Sequence, residues 1–127
     1  MKKLFLAICA ALGCSMGATA QNAFDNMNVK DFEALITSDS IQVLDVRTPA
    51  EFSDGHIKGA ININVLDSSF MNVARQKLDK GRMIAIYCRS GKRSAMACSR
   101  LAGEGYRTTN LLGGIIAWTK EQRPVVK

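Results

Sequence analysis

The cysteine at position 88 stands between an apolar run, Met83-Ile84-Ala85-Ile86-Tyr87, and the short basic segment Arg89-Ser90-Gly91-Lys92-Arg93-Ser94. The stretch that follows, Ala95 to Ala102, has the composition of a helix. The pattern predicts a buried strand, a turn and a helix N-terminus, with one thiol at the turn. Three influences there favour thiolate over thiol: the helix dipole, the N–H groups of a Gly-containing turn, and the charges of Arg89, Lys92 and Arg93. A free cysteine is only about 3% thiolate at pH 7, and lowering its pKa by about two units makes the nucleophilic form the majority. The same convergent N–H groups can hold an oxyanion, so a cysteine nucleophile and a small anionic substrate fit one site.

Other thiol chemistries fail on the inventory. His56 is the only histidine, and Gly55 and Gly59 place it in a turn, so a Cys-His hydrolase would rest on one unsupported residue. His56 is read as structural. No Cys-x-x-Cys pair is present for dithiol exchange, and Gly91-Lys92 is no nucleotide loop, because Ile86 stands where that motif needs glycine. Two cysteines ten apart and one distant histidine are too few ligands for structural zinc, and no cofactor is expected. Cys98, flanked at helical spacing by Ala95 and Ala102, is read as a small core residue, and a Cys88–Cys98 disulfide is disfavoured by the distance from a strand end to mid-helix.

The elements that would position Cys88 alternate between strand and helix. Asn28 can cap a helix carrying Val29, Phe32, Leu35 and Ile36 on one face. Ile41 to Val46 reads as a strand, and Thr48-Pro49-Ala50-Glu51 as a capping box with proline at the first helical position. Ala60 to Ile63 is a second strand, and Asp67 or Ser68 can cap a helix through Phe70, Val73, Ala74 and Leu78. Met83 to Tyr87, a helix from about Arg93 to Gly103, the strand Thr108 to Leu111, a Gly113-Gly114 turn and a helix from Ile115 to Glu121 complete the chain. Such alternation implies a parallel sheet covered on both faces, with ligands bound beyond the C-terminal strand ends.

The first 20 residues are excluded from the fold. Met1-Lys2-Lys3, the apolar stretch Leu4 to Leu12, and Ala18-Thr19-Ala20 before Gln21 form the pattern of a cleavable secretory signal, too short for a permanent membrane span. Ala11-Leu12-Gly13-Cys14 is the alternative, a lipoprotein site with Cys14 lipidated, and is disfavoured by alanine at its first position. Removing residues 1 to 20 from 127 leaves 107, one domain, of which 21–26 is expected to be a loose leader and 27–127 the folded unit. Lys2 and Lys3 leave with the signal, so the formal charge of +6 becomes +4, an excess without the basic stripe and interleaved aromatics of a nucleic-acid binder.

At this point the chain resembles the rhodanese family of sulfurtransferases. The resemblance rests on Leu44-Asp45-Val46-Arg47 with Glu51-Phe52 and Gly55-His56-Ile57-Lys58-Gly59-Ala60, on the loop Cys88 to Ser94, and on Gly113-Gly114 with Trp118. These segments cover about residues 27 to 124. The resemblance implies an α/β rhodanese-like fold, a five-stranded parallel sheet flanked by helices on both faces. It further implies that Cys88 takes a sulfane sulfur as a persulfide, with Arg89, Ser90, Gly91, Lys92, Arg93 and Ser94 binding a small anionic donor such as thiosulfate. Cyanide, a small thiol or a protein thiol would be the acceptor, and a monomer is expected.

Asp45 and Arg47 are family-typical and read as support for the neighbouring loop, through a buried ion pair of Arg47 with Glu51. Trp118 is read as core. Phosphatases and arsenate reductases of related fold carry a loop one residue longer, with arginine sixth after the cysteine; here Arg93 is fifth and Ser94 sixth, which favours sulfur transfer. A non-catalytic binding module is the remaining alternative, although such modules often lack the cysteine. Many relatives work inside the cell, whereas the export signal points to the periplasm or the exterior.

Overall fold

The apolar run ahead of Cys88 is a strand whose side chains alternate between two cores. Ile84, Ile86 and Cys88 point into one cluster with Leu44, Val46, Phe70, Ala97, Cys98 and Leu101. Ala85 and Tyr87 point into the other, with Val29, Phe32, Val43, Leu111 and Trp118. A period of two with both faces buried explains why the strand reads as a continuous apolar run instead of an alternating one. Each such side chain fully buried contributes about 1.5–3 kcal/mol.

The computed structural model describes residues 23–127. In chain order the elements are β1 (Asp25–Met27), α1 (Val29–Ile36), β2 (Gln42–Asp45), α2 (Pro49–Asp54), β3 (Ile61–Asn62), α3 (Phe70–Lys77), β4 (Ile84–Tyr87), α4 (Lys92–Ala102), β5 (Thr108–Leu111) and α5 (Gly114–Lys120). The strands form a single five-stranded sheet in the order β1-β5-β4-β2-β3, parallel at every pairing. α3 and α4 supply the cluster on one face, and α1 and α5 the cluster on the other.

Local signals set the helix starts. Asn28 Oδ1 accepts the Asp31 N–H at 2.8 Å and opens α1. Thr48 and Glu51 form the reciprocal capping box of α2, with Pro49 at its first position. α3 departs from expectation. Its N-cap is Ser69, because the Asp67 carboxylate turns back to accept from the Ser69 N–H at 2.9 Å and hydroxyl at 2.8 Å, a local turn that delays the helix to Phe70.

The leader assignment is corrected over Asp25 and Asn26. Asp25–Met27 is an edge strand, paired with Thr109–Leu111 of β5, and supplies the fifth strand. Its polar sequence Asp-Asn-Met carries no apolar run, since the inner face of an edge strand this short is a single partly buried Met27. The proposed signal segment 1–20 and Cys14 lie outside the described residues.

Candidate active site

Cys88 follows the last residue of β4 and is 1% exposed. Gly91, in the left-handed region at φ 108°, turns the chain so that its N–H donates to Cys88 Sγ at 3.0 Å and α4 begins at Lys92. One turn into α4, the fully buried Ser94 stands with its hydroxyl 3.3 Å from the same sulfur. Burial pushes the Cys88 thiol up; hydrogen bonds from the Ser94 hydroxyl and from the N–H groups of Ser94, Gly91 and Ser90 outweigh it, so the net shift is down. Oriented donors therefore dominate on the sulfur, while its charge is a lesser influence felt by Arg93, behind Glu51.

The three loop cations have different fates. Arg89 and Lys92 are exposed on the rim and belong to no ion pair among the described residues, leaving them available to an anion. Arg93 is committed: its guanidinium makes a fork with the Glu51 carboxylate at 2.8 and 2.9 Å. Glu51 also accepts from the Thr48 N–H and hydroxyl, so the pair ties the Cys88 loop to the start of α2. The Arg93 hydrogen bonds, working against partial burial, hold the Glu51 carboxyl down at about 2.

The expected Arg47–Glu51 pair is corrected accordingly. Arg47 instead folds back on Asp45, with Nη2–Oδ2 at 2.6 Å and Nε–Oδ1 at 3.0 Å, and its Nη2 also donates to the Gly55 carbonyl at 2.7 Å. Burial lowers the Arg47 pKa, and the Asp45 hydrogen bond and charge reverse that to a net rise. The Tyr87 hydroxyl accepts the Ile57 N–H at 3.0 Å. Asn62 Nδ2 donates to the Asp45 and Arg47 carbonyls. Spacing could not choose between Asp45 and Glu51 as the partner, because both lie within four residues of Arg47. The end of strand β2 decides it by burying Asp45 and Arg47 together, 0% and 5% exposed.

The other side of the loop is held by α5. The Ile115 N–H donates to the Cys88 carbonyl at 2.9 Å and the Ile116 N–H to the Arg89 carbonyl at 3.1 Å. That approach needs Gly114: a Cβ there would fall 2.3 Å from the Arg89 oxygen, and its φ is +60°.

His56 takes no part in the loop. Its ring stacks on Phe52 with centroids 3.6 Å apart, and Nδ1 meets the Phe52 carbonyl at 2.8 Å. The His56 backbone bridges Val126. Trp118 is core, its indole N–H donating to the Pro124 carbonyl at 2.8 Å. Cys98 is a free, fully buried core thiol, pushed up by burial to about 12.

Two contacts beside the loop escaped the sequence reading. Asn110, in β5, is 3% exposed and accepts from the Ser94 hydroxyl at 2.5 Å. An asparagine inside a buried strand was the available signal. Glu51 was read as a capping residue and as a partner for Arg47, but its link to the loop was not, since its partner Arg93 lies 42 positions away.

A buried cysteine whose sulfur faces inward N–H groups at the end of a parallel strand, with cations on the rim and no histidine in the loop, makes a candidate site for cysteine chemistry on a doubly covered α/β sheet. The model of the rhodanese-like domain matches residues 28–121, and the chain belongs to that family. A protein of Allochromatium vinosum named sulfurtransferase is 39% identical over 95 residues, covering 74% of this chain and 86% of that one. The crystal structure of a rhodanese-related protein from Thermoplasma volcanium matches with a TM-score of 0.69 at 33% identity, covering 81% of this chain and 98% of that one. A rhodanese-like domain protein from Staphylococcus aureus matches with a TM-score of 0.66 at 27% identity, over 75% and 91% of the two chains.

Proposed function

We propose that the protein moves a sulfane sulfur from thiosulfate or a related small anionic donor, through a Cys88 persulfide, to a thiophilic acceptor such as cyanide or a thiol. The observation that carries this reading is Cys88 Sγ, which accepts from the Gly91 N–H and faces the Ser94 hydroxyl, with no base in hydrogen-bond contact among the described residues. In the first half-reaction the Cys88 thiolate attacks the outer sulfur of thiosulfate. The new bond joins Sγ to that sulfur, the sulfur–sulfur bond of thiosulfate breaks, and sulfite departs with the electron pair. Negative charge passes from Sγ to the outer sulfur, within reach of the loop N–H groups of the turn, while Arg89 and Lys92 offset the charge of the incoming dianion.

In the second half-reaction the acceptor attacks the outer sulfur and the electron pair of the breaking bond returns to Sγ. A stabilised thiolate serves as nucleophile first and leaving group second, so neither step requires proton transfer from a histidine. Arg93, fifth after Cys88 and locked to Glu51, is not free to clamp a tetrahedral oxyanion, which disfavours the phosphatase alternative.

The full chain incubated with thiosulfate is expected to gain one sulfur by intact mass and release sulfite, then convert cyanide to thiocyanate. Cys88→Ser should do neither. A folded wild-type chain that stays unmodified would overturn the reading and favour a non-catalytic module. The pattern of residues 1 to 20 supports the periplasm or the exterior as the site of action; intact mass of the protein from an exporting host tests cleavage after Ala20.

A further inference from the structure

Ser94 carries one hydroxyl proton, and two acceptors face it: Asn110 Oδ1 at 2.5 Å and Cys88 Sγ at 3.3 Å. The chain of contacts does not stop there. β1 and β5 pair Asn26 directly opposite Asn110, and Asn110 Nδ2 donates to Asn26 Oδ1 at 3.0 Å. Cys88, Ser94, Asn110 and Asn26 thus form one line of hydrogen bonds that runs from the reacting sulfur to the exposed edge of the sheet. Ser94 and Asn110 are buried and Asn26 is exposed.

One proton cannot serve both acceptors at once, so two polarities are open to the chain. In the outward one Ser94 gives its proton to Asn110, and Asn110 gives one of its own to Asn26. The Ser94 lone pairs are left for Sγ, which suits a neutral Cys88 that donates its S–H. A thiolate needs the reverse. Ser94 must then donate to Sγ, which would set its lone pairs against Asn110 Oδ1 at 2.5 Å. Rotating the Asn110 amide by half a turn exchanges its O and N in place, so that Nδ2 donates to Ser94 and Oδ1 faces Asn26. Asn26, exposed at the edge, can turn its own amide or be replaced by water.

Resting on the sulfurtransferase reading, we infer that Asn110 and Asn26 are positioning residues whose amides reverse the polarity of this chain as charge leaves and returns to Cys88 Sγ. The persulfide step moves charge off Sγ and releases the Ser94 proton to Asn110, and the transfer step restores the charge and draws that proton back to the sulfur. The chain carries no group of its own into the reaction; it decides whether the Ser94 proton is available to the sulfur.

The test uses aspartate, which accepts but does not donate and therefore locks the outward polarity. The full chain and its variants are alkylated with iodoacetamide across a pH series, and modification at Cys88 is followed by peptide mass. Asn110→Asp and Asn26→Asp are each expected to slow alkylation at neutral pH by about tenfold, the scale of one hydrogen bond to a charged group. The slowing by Asn26→Asp should persist in high salt, which screens a charge at the exposed edge, and both aspartate effects should vanish in a Ser94→Ala background. Aspartate variants that titrate like the wild type, or that slow alkylation equally without Ser94, would overturn the inference. Asn26→Asp keeps the test available should Asn110→Asp fail to fold. Because alkylation needs no sulfur donor, a protein inert toward thiosulfate would sink the proposed function while leaving the polarity chain to stand or fall on its own data.

Discussion

Cys88 and Cys98 lie at the two ends of a ten-residue interval around the start of α4, both free and both at most 1% exposed. Burial raises the pKa of each, yet Cys88 ends below its ordinary value and Cys98 at about 12. The difference lies in the backbone around them. Cys88 sits outside a helix N-terminus, where N–H groups have no intrahelical partner and turn toward the sulfur. Cys98 sits inside the helix, where every N–H is already bonded to a carbonyl one turn back, and contact with Thr108 does not offset burial. The lowered pKa of Cys88 follows from unsatisfied donors, and burial without them raises that of Cys98.

The largest expected effect separates the two thiols directly. At pH 7 Cys88 should alkylate more than about a hundredfold faster than Cys98, read residue by residue by peptide mass. Comparable rates would break the contrast. Next, Arg47→Ala strands the buried Asp45 carboxylate and should cost about 3–5 kcal/mol in urea unfolding. Because that pair holds the shared scaffold, both thiols should lose protection together.

Gly114→Ala sharpens the comparison from the other side. The added Cβ meets the Arg89 and Cys88 carbonyls, at a backbone conformation that costs about 1–3 kcal/mol for a side chain. Cys88 reactivity should fall while Cys98 stays protected. Cys98→Ala removes one buried sulfur atom from a core position and should cost about 1 kcal/mol with sulfur transfer retained.

The smallest effect concerns acid. Glu51 is held at about 2 in the folded protein, below its unfolded value near 4.5. A depressed carboxyl stabilises the fold above the unfolded pKa, and that contribution is lost as pH falls from about 4.5 toward 2. Arg93→Ala should flatten stability against pH in that window, measured by thermal unfolding at a series of pH values.

Most of the scaffold around Cys88 was legible. Asn28 and Thr48 mark their helices because capping is a local hydrogen bond within three residues. The strand before Cys88 showed itself as an unbroken apolar run because both of its faces are covered. β1 stayed hidden, since a three-residue edge strand has no period to read and exists only through its pairing with β5. The Ser94 contact with Asn110 was hidden for another reason, since it joins α4 to β5 across 16 positions. At the site, Cys88 and its loop were recognisable by type and order, whereas the guess that Arg47 meets Glu51 failed because proximity in sequence says nothing about which carboxylate a strand end buries.

The amino-acid sequence by itself determined the candidate nucleophile, the length of its loop, the alternating strand and helix order, and the absence of a partner histidine in the motif. Those are matters of residue type and of interactions spanning a few positions. Only the tertiary structure decided that Arg93 is tied to Glu51 while Arg89 and Lys92 remain on the rim, that Gly114 lets α5 close on the loop, and that Asn110 and Asn26 reach Cys88 through Ser94. Each of these joins segments 15 or more residues apart, and such distances are set by the packing of the sheet and its helices, which no local pattern encodes.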